Sequence, residues 1–142
     1  MNGHRNPILT MTMKHLPILL SLLLLAACQE KKLDRFERET REYTERNCPK
    51  QVDAITVLDS MVFHNDGSLN YIYYYTVTLT DEQRETFIGK LDDIKDGVAK
   101  GLRNSIEVKA MKEAGLNFVY VYRDAASGKL VAKYTVTRKE YE

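Results

Sequence analysis

Leu69-Asn70-Tyr71-Ile72-Tyr73-Tyr74-Tyr75-Thr76-Val77-Thr78-Leu79 is the stretch that decides the fold. In an extended strand, Leu69, Tyr71, Tyr73, Tyr75, Val77 and Leu79 share one face, and Asn70, Ile72, Tyr74, Thr76 and Thr78 share the other. One face is apolar and aromatic while the other is mostly polar, the pattern of a strand resting on a core. Before it, Ile55 to His64 reads as a partner strand. The link Asn65-Asp66-Gly67-Ser68 carries an Asp-Gly pair, a strong hairpin signal.

After the hairpin, Thr80-Asp81-Glu82-Gln83 has the spacing of a capping box, and Asp81 and Glu82 suit the positive end of a helix. Phe87, Ile88, Leu91, Ile94, Val98 and Leu102 then recur at helical spacing, predicting one helix of about twenty residues. Gly89, Gly97 and Gly101 each weaken it by about 1 kcal/mol relative to alanine, so a break is expected near Gly101 to Asn104. Ser105 can cap a shorter helix through Ala114, stopped by Gly115. A second hairpin follows, Leu116–Arg123 and Lys129–Arg138. It places Leu116, Phe118, Tyr120 and Tyr122 on one face with Leu130, Ala132, Tyr134 and Val136.

Upstream, Leu33, Phe36 and Tyr43 mark a narrow apolar stripe in a charged segment. Glu37/Arg41 and Glu42/Arg46 stand four apart with the acid first, which favours a helix over residues 33–46. Asn47-Cys48-Pro49 ends it, since the residue before a proline is driven out of helical geometry. The expected architecture is α+β, in the order α-β-β-α-α-β-β, with an antiparallel four-stranded sheet built from two hairpins and helices on one face. Tyr75-Thr76-Val77-Thr78 recurs as Tyr134-Thr135-Val136-Thr137, which either a duplication or the abundance of these residues in strands would explain.

The N-terminus supplies an address. Lys14 and His15 precede an apolar stretch from Leu16 to Leu25, then Ala26-Ala27 and Cys28: the charged start, apolar middle and small-residue cut site of an export signal. From Leu16 to Ala27 the stretch is about twelve residues long against the roughly 20 that span a bilayer core. A plain secretory signal would use the same small residues. Leu25-Ala26-Ala27-Cys28 resembles the lipobox of bacterial lipoproteins, and the resemblance implies a lipidated Cys28 as the new N-terminus. Residues 1–27 are then a lipoprotein signal peptide, for which Met11 and Met13 offer alternative starts to Met1, residues 28–32 a tether, and residues 33–142 one domain. Lipoproteins of this class carry several acyl chains on the cysteine, and two or more anchor durably. Gln29 stands where aspartate retains such proteins at the inner membrane, which favours the outer membrane.

Composition narrows the chemistry. Residues 28–142 hold 19 basic and 20 acidic residues, a balance unlike the basic excess of a nucleic-acid binder. Cys48 has no intramolecular partner if Cys28 carries lipid, so it is either buried and inert or a reactive thiol. No His/Cys cluster has metal-ligand spacing, no cofactor motif is present, and Asp92, Asp93 and Asp96 read as a solvated helix face. Cys48 and His64 would be the one conceivable dyad, but a strand of about nine residues sets them roughly 30 Å apart. Glycine-rich phosphate loops, Gly-x-Ser-x-Gly and Ser-x-x-Lys are absent from the sequence.

Alternation assigns Tyr71, Tyr73, Tyr75, Tyr120, Tyr122 and Tyr134 to the core, with hydroxyls reaching its rim. Ile72 and Tyr74 are left on the opposite face. With Val119, Val121 and Val131 they form a candidate partner-binding surface unless the N-terminal helix covers it. Asn47-Cys48-Pro49, Val52-Asp53, Tyr71-x-Tyr73, Gly115-x-x-Phe118-x-Tyr120-x-Tyr122 and Gly128-Lys129 resemble small exported bacterial domains of unassigned function, a resemblance that implies no activity. The expectation is a membrane-tethered, non-catalytic envelope lipoprotein binding a protein or glycan partner, without cofactor or metal. The alternatives are an inhibitor of an exported hydrolase and an unrecognised enzyme.

Overall fold

The structure is a computed structural model that describes residues 16–142, with side chains from residue 31 onward. Met11 and Met13 lie outside the described residues, as do the side chains of the signal stretch and of Cys28. The chain divides into two units, Met1–Asp34 and Arg35–Glu142. Helix α1, Leu16–Asn47, runs through residues 28–32 without a break. No helix among the described residues is long and apolar enough to cross a membrane.

The second unit is an α+β domain. After the last turns of α1 come β1 (Lys50–Gln51), β2 (Thr56–Asn65) and β3 (Leu69–Val77). Next are α2 (Asp81–Gly89), α3 (Leu91–Asn104) and α4 (Lys109–Glu113), then β4 (Asn117–Asp124), β5 (Leu130–Val136) and α5 (Arg138–Tyr141). The strands form one five-stranded sheet in the order β1-β2-β3-β4-β5. This corrects the expected four-stranded antiparallel sheet: β3 and β4 run parallel, with Tyr71 opposite Phe118 and Tyr75 opposite Tyr122. The reason lies in the connection. Residues 78–116 cross back over the sheet through three helices and return the chain to the end where β3 began, the route a parallel pair requires. The fifth strand is a two-residue ladder of Lys50 and Gln51 on Leu58 and Val57, too short and polar to show in the sequence.

Several local readings hold. Thr80 and Gln83 make the capping box, with Gln83 N–H donating to Thr80 Oγ1 at 3.2 Å and Thr80 N–H donating to Gln83 Oε1 at 2.9 Å. Gly67 turns the first hairpin with φ +95°. Gly115 takes φ +75°, its N–H reaching Lys112 O while Leu116 N–H reaches Met111 O, the paired bonds of a Schellman stop. The expected single helix is instead two, broken at Lys90, whose ψ of 10° turns the axis. Glu42 and Arg46 pair at 3.5 Å. A second capping box, Thr137 with Glu140, starts α5 and escaped the sequence reading.

Most of the core lies on one face of the sheet, while Val119 and Val121 are buried on the other. Phe36 of α1 meets Phe63 of β2, with ring centroids 5.8 Å apart. At the other side Tyr141 of α5 sets its ring edge on Phe118 at 5.6 Å and donates its hydroxyl to Leu116 O at 2.7 Å. Leu116, Phe118 and Val136 are fully buried, each contributing about 1.5–3 kcal/mol by removal from water. Ion pairs fasten the helices to this frame, Arg84 of α2 to Asp124 at 2.8 Å and Lys95 of α3 to Glu140 of α5 at 2.6 Å.

Candidate functional site

Because α1 anchors on β2 while α2, α3 and α5 anchor on β4 and β5, the middle of the inner face lies between two walls. Tyrosines pave it. Tyr73 stacks on Tyr120 across the parallel pair with centroids 5.0 Å apart and rings 9° from parallel. Tyr75 stacks on Tyr122 at 5.0 Å and 13°, and Tyr120 on Tyr134 at 5.0 Å and 16°. The cause is register: Tyr73 sits opposite Tyr120 and Tyr120 opposite Tyr134, so side chains of one face fall at ring-stacking distance.

The six tyrosines divide. Tyr71 and Tyr134 are buried, as alternation predicts for a core face, whereas Tyr73, Tyr75, Tyr120 and Tyr122 are only half-buried. Their ring faces lie against one another, so what the trough presents is ring edges and hydroxyls. Tyr122 and Tyr134 share one hydroxyl contact at 3.5 Å. The hydroxyls of Tyr71, Tyr73, Tyr75 and Tyr120 have no hydrogen-bond partner among the described residues, and none is sealed from solvent. Burial first, and neighbouring phenols and Glu39 second, push these groups up, Tyr71 to about 12 and Tyr73, Tyr75, Tyr120 and Tyr122 higher still. They are protonated donors at any physiological pH.

At one end Phe87 of α2 sets its edge on Tyr122 at 5.1 Å. Phe87 also lines an apolar hollow of about 490 Å³ with Ile55, Leu79 and Ile94. Ile55 is 38% exposed and Val52, nearby in sequence, 54% exposed. Phe87 thus sets an apolar hollow beside the row of phenols, a combination suited to binding and to positioning polar groups.

The candidate surface of Ile72 and Tyr74 is on the opposite face, where both are half-buried. Ile72 joins Val119, Lys133, Thr135 and His64 around a shallow hollow of about 320 Å³. The described part of α1 that packs on the sheet does so through Phe36, on the inner face. Cys48 and His64 are not brought together: Cys48 precedes β1, which pairs with the start of β2, and His64 lies near the end of β2. Burial, then the Asp59 carboxylate, raise the Cys48 thiol, opposite to the activation a nucleophile needs. Among the described residues no group of three or more His, Cys, Asp or Glu side chains could hold a metal.

A family profile described as a domain of unknown function (DUF8479) matches residues 31–132. The chain belongs to that family. Its fold is also that of a Pseudomonas aeruginosa protein assigned as secreted. That likeness has a TM-score of 0.67 at 10% identity and covers 80% of this chain and 96% of that one. A pilotin from the type 2 secretion system of Vibrio vulnificus is similar with a TM-score of 0.50 at 11% identity, covering 80% and 97%. No curated protein matches the sequence.

Sequence reasoning named all six inner tyrosines but took them for core. It missed the gap between the helix walls, since nothing in the strand pattern records where α1 and α3 land. Phe87 was read only as one of the apolar positions on the helix, and Ile55 as the start of a strand.

Proposed function

We propose that this protein is a membrane-tethered, non-catalytic lipoprotein of the bacterial cell envelope, and that it holds an envelope protein in its tyrosine-paved trough. The observation that carries this reading is the row Tyr73, Tyr75, Tyr120 and Tyr122, half-buried and ordered by mutual stacking, with the hydroxyls of Tyr73, Tyr75 and Tyr120 unbonded among the described residues. Tyrosines add large contact area with few rotatable bonds and one polar handle, which is why they are enriched where proteins meet. Order already imposed by stacking lowers the entropic cost of binding.

Two further lines support it. The chain shares its fold with a pilotin of a secretion system and with a protein assigned as secreted. The Leu25-Ala26-Ala27-Cys28 pattern supplies an export route and an anchor, with the outer membrane favoured by Gln29. Palmitate labelling of the chain and of Cys28→Ala tests the tether: label should vanish in the variant, and label that persists defeats it. Co-purification from the native envelope, comparing the wild-type chain with the Tyr75→Phe/Tyr120→Phe double variant, tests the trough. A protein held by the wild type should be depleted in the variant, and an unchanged set of bound proteins refutes the reading.

A further inference from the structure

Strand β2 has a second face to offer, its outer edge. β1 occupies that edge only at Val57 and Leu58. Farther along, Thr44 of α1 takes the place of a strand: Met61 N–H donates to Thr44 Oγ1 at 2.8 Å, and Thr44 Oγ1 donates to Met61 O at 3.0 Å. Met61, opposite Tyr73, therefore points its backbone groups away from β3. In an antiparallel ladder every second residue does the same. Phe63, opposite Tyr71, and Asn65, opposite Leu69, thus aim N–H and C=O outward as well. Outside the sheet's own ladders, no hydrogen bond among the described residues meets any of these four groups.

They open into a crevice of about 660 Å³ between β2 and α1, bordered by Glu37, Thr40 and Arg41 on the helix side. Arg41 and Glu37, spaced for a pair along the helix, form no salt bridge among the described residues, so both charges remain available in the crevice. An exposed strand edge is a template for another chain, and proteins commonly blunt it. Here β1 and Thr44 blunt the edge as far as Met61 and leave Phe63 to Asn65 open.

We propose that this crevice takes a short extended peptide segment of another protein, which adds to β2 beyond Thr44 by pairing with the backbone of Phe63 and Asn65. Thr44 sets where the guest strand stops. The unpaired donors and acceptors select an extended backbone, since a helix satisfies its own backbone groups and has none to give. The flanking Glu37 and Arg41 can meet basic and acidic side chains of the guest segment. This surface is separate from the tyrosine trough, and the inference stands without it.

The test is to pan a phage-displayed nonapeptide library against the full lipidated chain in detergent, then to synthesise the strongest binder. By amide exchange, Phe63 and Asn65 should exchange fast in the free protein and become protected with the peptide. Val62 and His64, which face β3, should be protected throughout. N-methylating the peptide amide that donates to Phe63 O should weaken binding about fivefold, the worth of one hydrogen bond. Asn65→Pro, which removes an outward N–H without touching the β2–β3 ladder, should weaken it by a similar factor. Panning that yields no binder, a binder that leaves Phe63 and Asn65 unprotected, or one indifferent to N-methylation overturns the proposal.

Discussion

Replacing Tyr120 separates the two roles that the trough assigns to a tyrosine, ring and hydroxyl. The ring stacks on Tyr73 and on Tyr134, each at 5.0 Å. Losing two such contacts costs about 0.5–1.5 kcal/mol apiece beyond the area term. Truncating a fully buried aromatic costs about 3–5 kcal/mol, and half-burial reduces that by roughly half. Tyr120→Ala should therefore destabilise by about 3–5 kcal/mol in all, leaving a domain of ordinary stability folded but weakened. The hydroxyl has no partner within the described residues, so Tyr120→Phe should change stability by less than about 0.5 kcal/mol. The assay is urea unfolding followed by far-ultraviolet circular dichroism, with the midpoint read at unchanged slope. A loss below about 1 kcal/mol for the alanine variant, or above about 1.5 for the phenylalanine variant, refutes the stacked, open arrangement. The phenylalanine variant should still lose affinity for the trough's partner, about fivefold for one hydroxyl contact.

Asp124, held down first by Ser127 and then by Arg84, and Glu140, held down first by Lys95, both have carboxyls depressed to about 2. Their contribution is complete above the ordinary carboxylate value of about 4 and is lost as pH falls toward 2. Melting temperature should thus drop between pH 4 and 2, and Asp124→Asn/Glu140→Gln should flatten that limb; an unchanged limb contradicts the assignment. At the alkaline end, burial raises Tyr71, Tyr73, Tyr75, Tyr120, Tyr122, Tyr134 and Tyr141. Unfolded phenols ionise near about 10, so stability should fall as pH rises past that point. Absorbance at 295 nm should show these phenols ionising late or together with unfolding, and a normal titration of all nine in the folded state would exclude the packed trough. Gly115→Ala forces alanine into φ +75° with its Cβ 3.4 Å from Arg138 Nη1. The expected cost is about 1–2 kcal/mol by chemical denaturation, and a neutral result would deny the left-handed stop.

Where the chain's signals were local, the sequence carried the structure. Thr80 with Gln83, Asp66-Gly67 and Gly115 each specify a cap or turn within four residues, and each forms. Alternation in residues 69–77 placed the tyrosines on the right face, because side-chain period is a property of the strand itself. The same alternation is blind to direction. It reads identically whether the neighbour runs parallel or antiparallel, which is why the β3–β4 pairing was misjudged. Thr137-x-x-Glu140 was a legible capping box overlooked beside the end of β5. The trough and the open edge at Phe63 depend on where helices settle over the sheet, a result of packing that no short window of sequence contains.

Photo-crosslinking from position 75, in living cells and with the chain at its native level, tests the central claim most directly. A benzophenone amino acid in place of Tyr75 should yield one discrete adduct with an envelope protein, absent when the probe replaces Lys139, an exposed residue of α5. Equal labelling from both positions, or no adduct from position 75, would contradict the account.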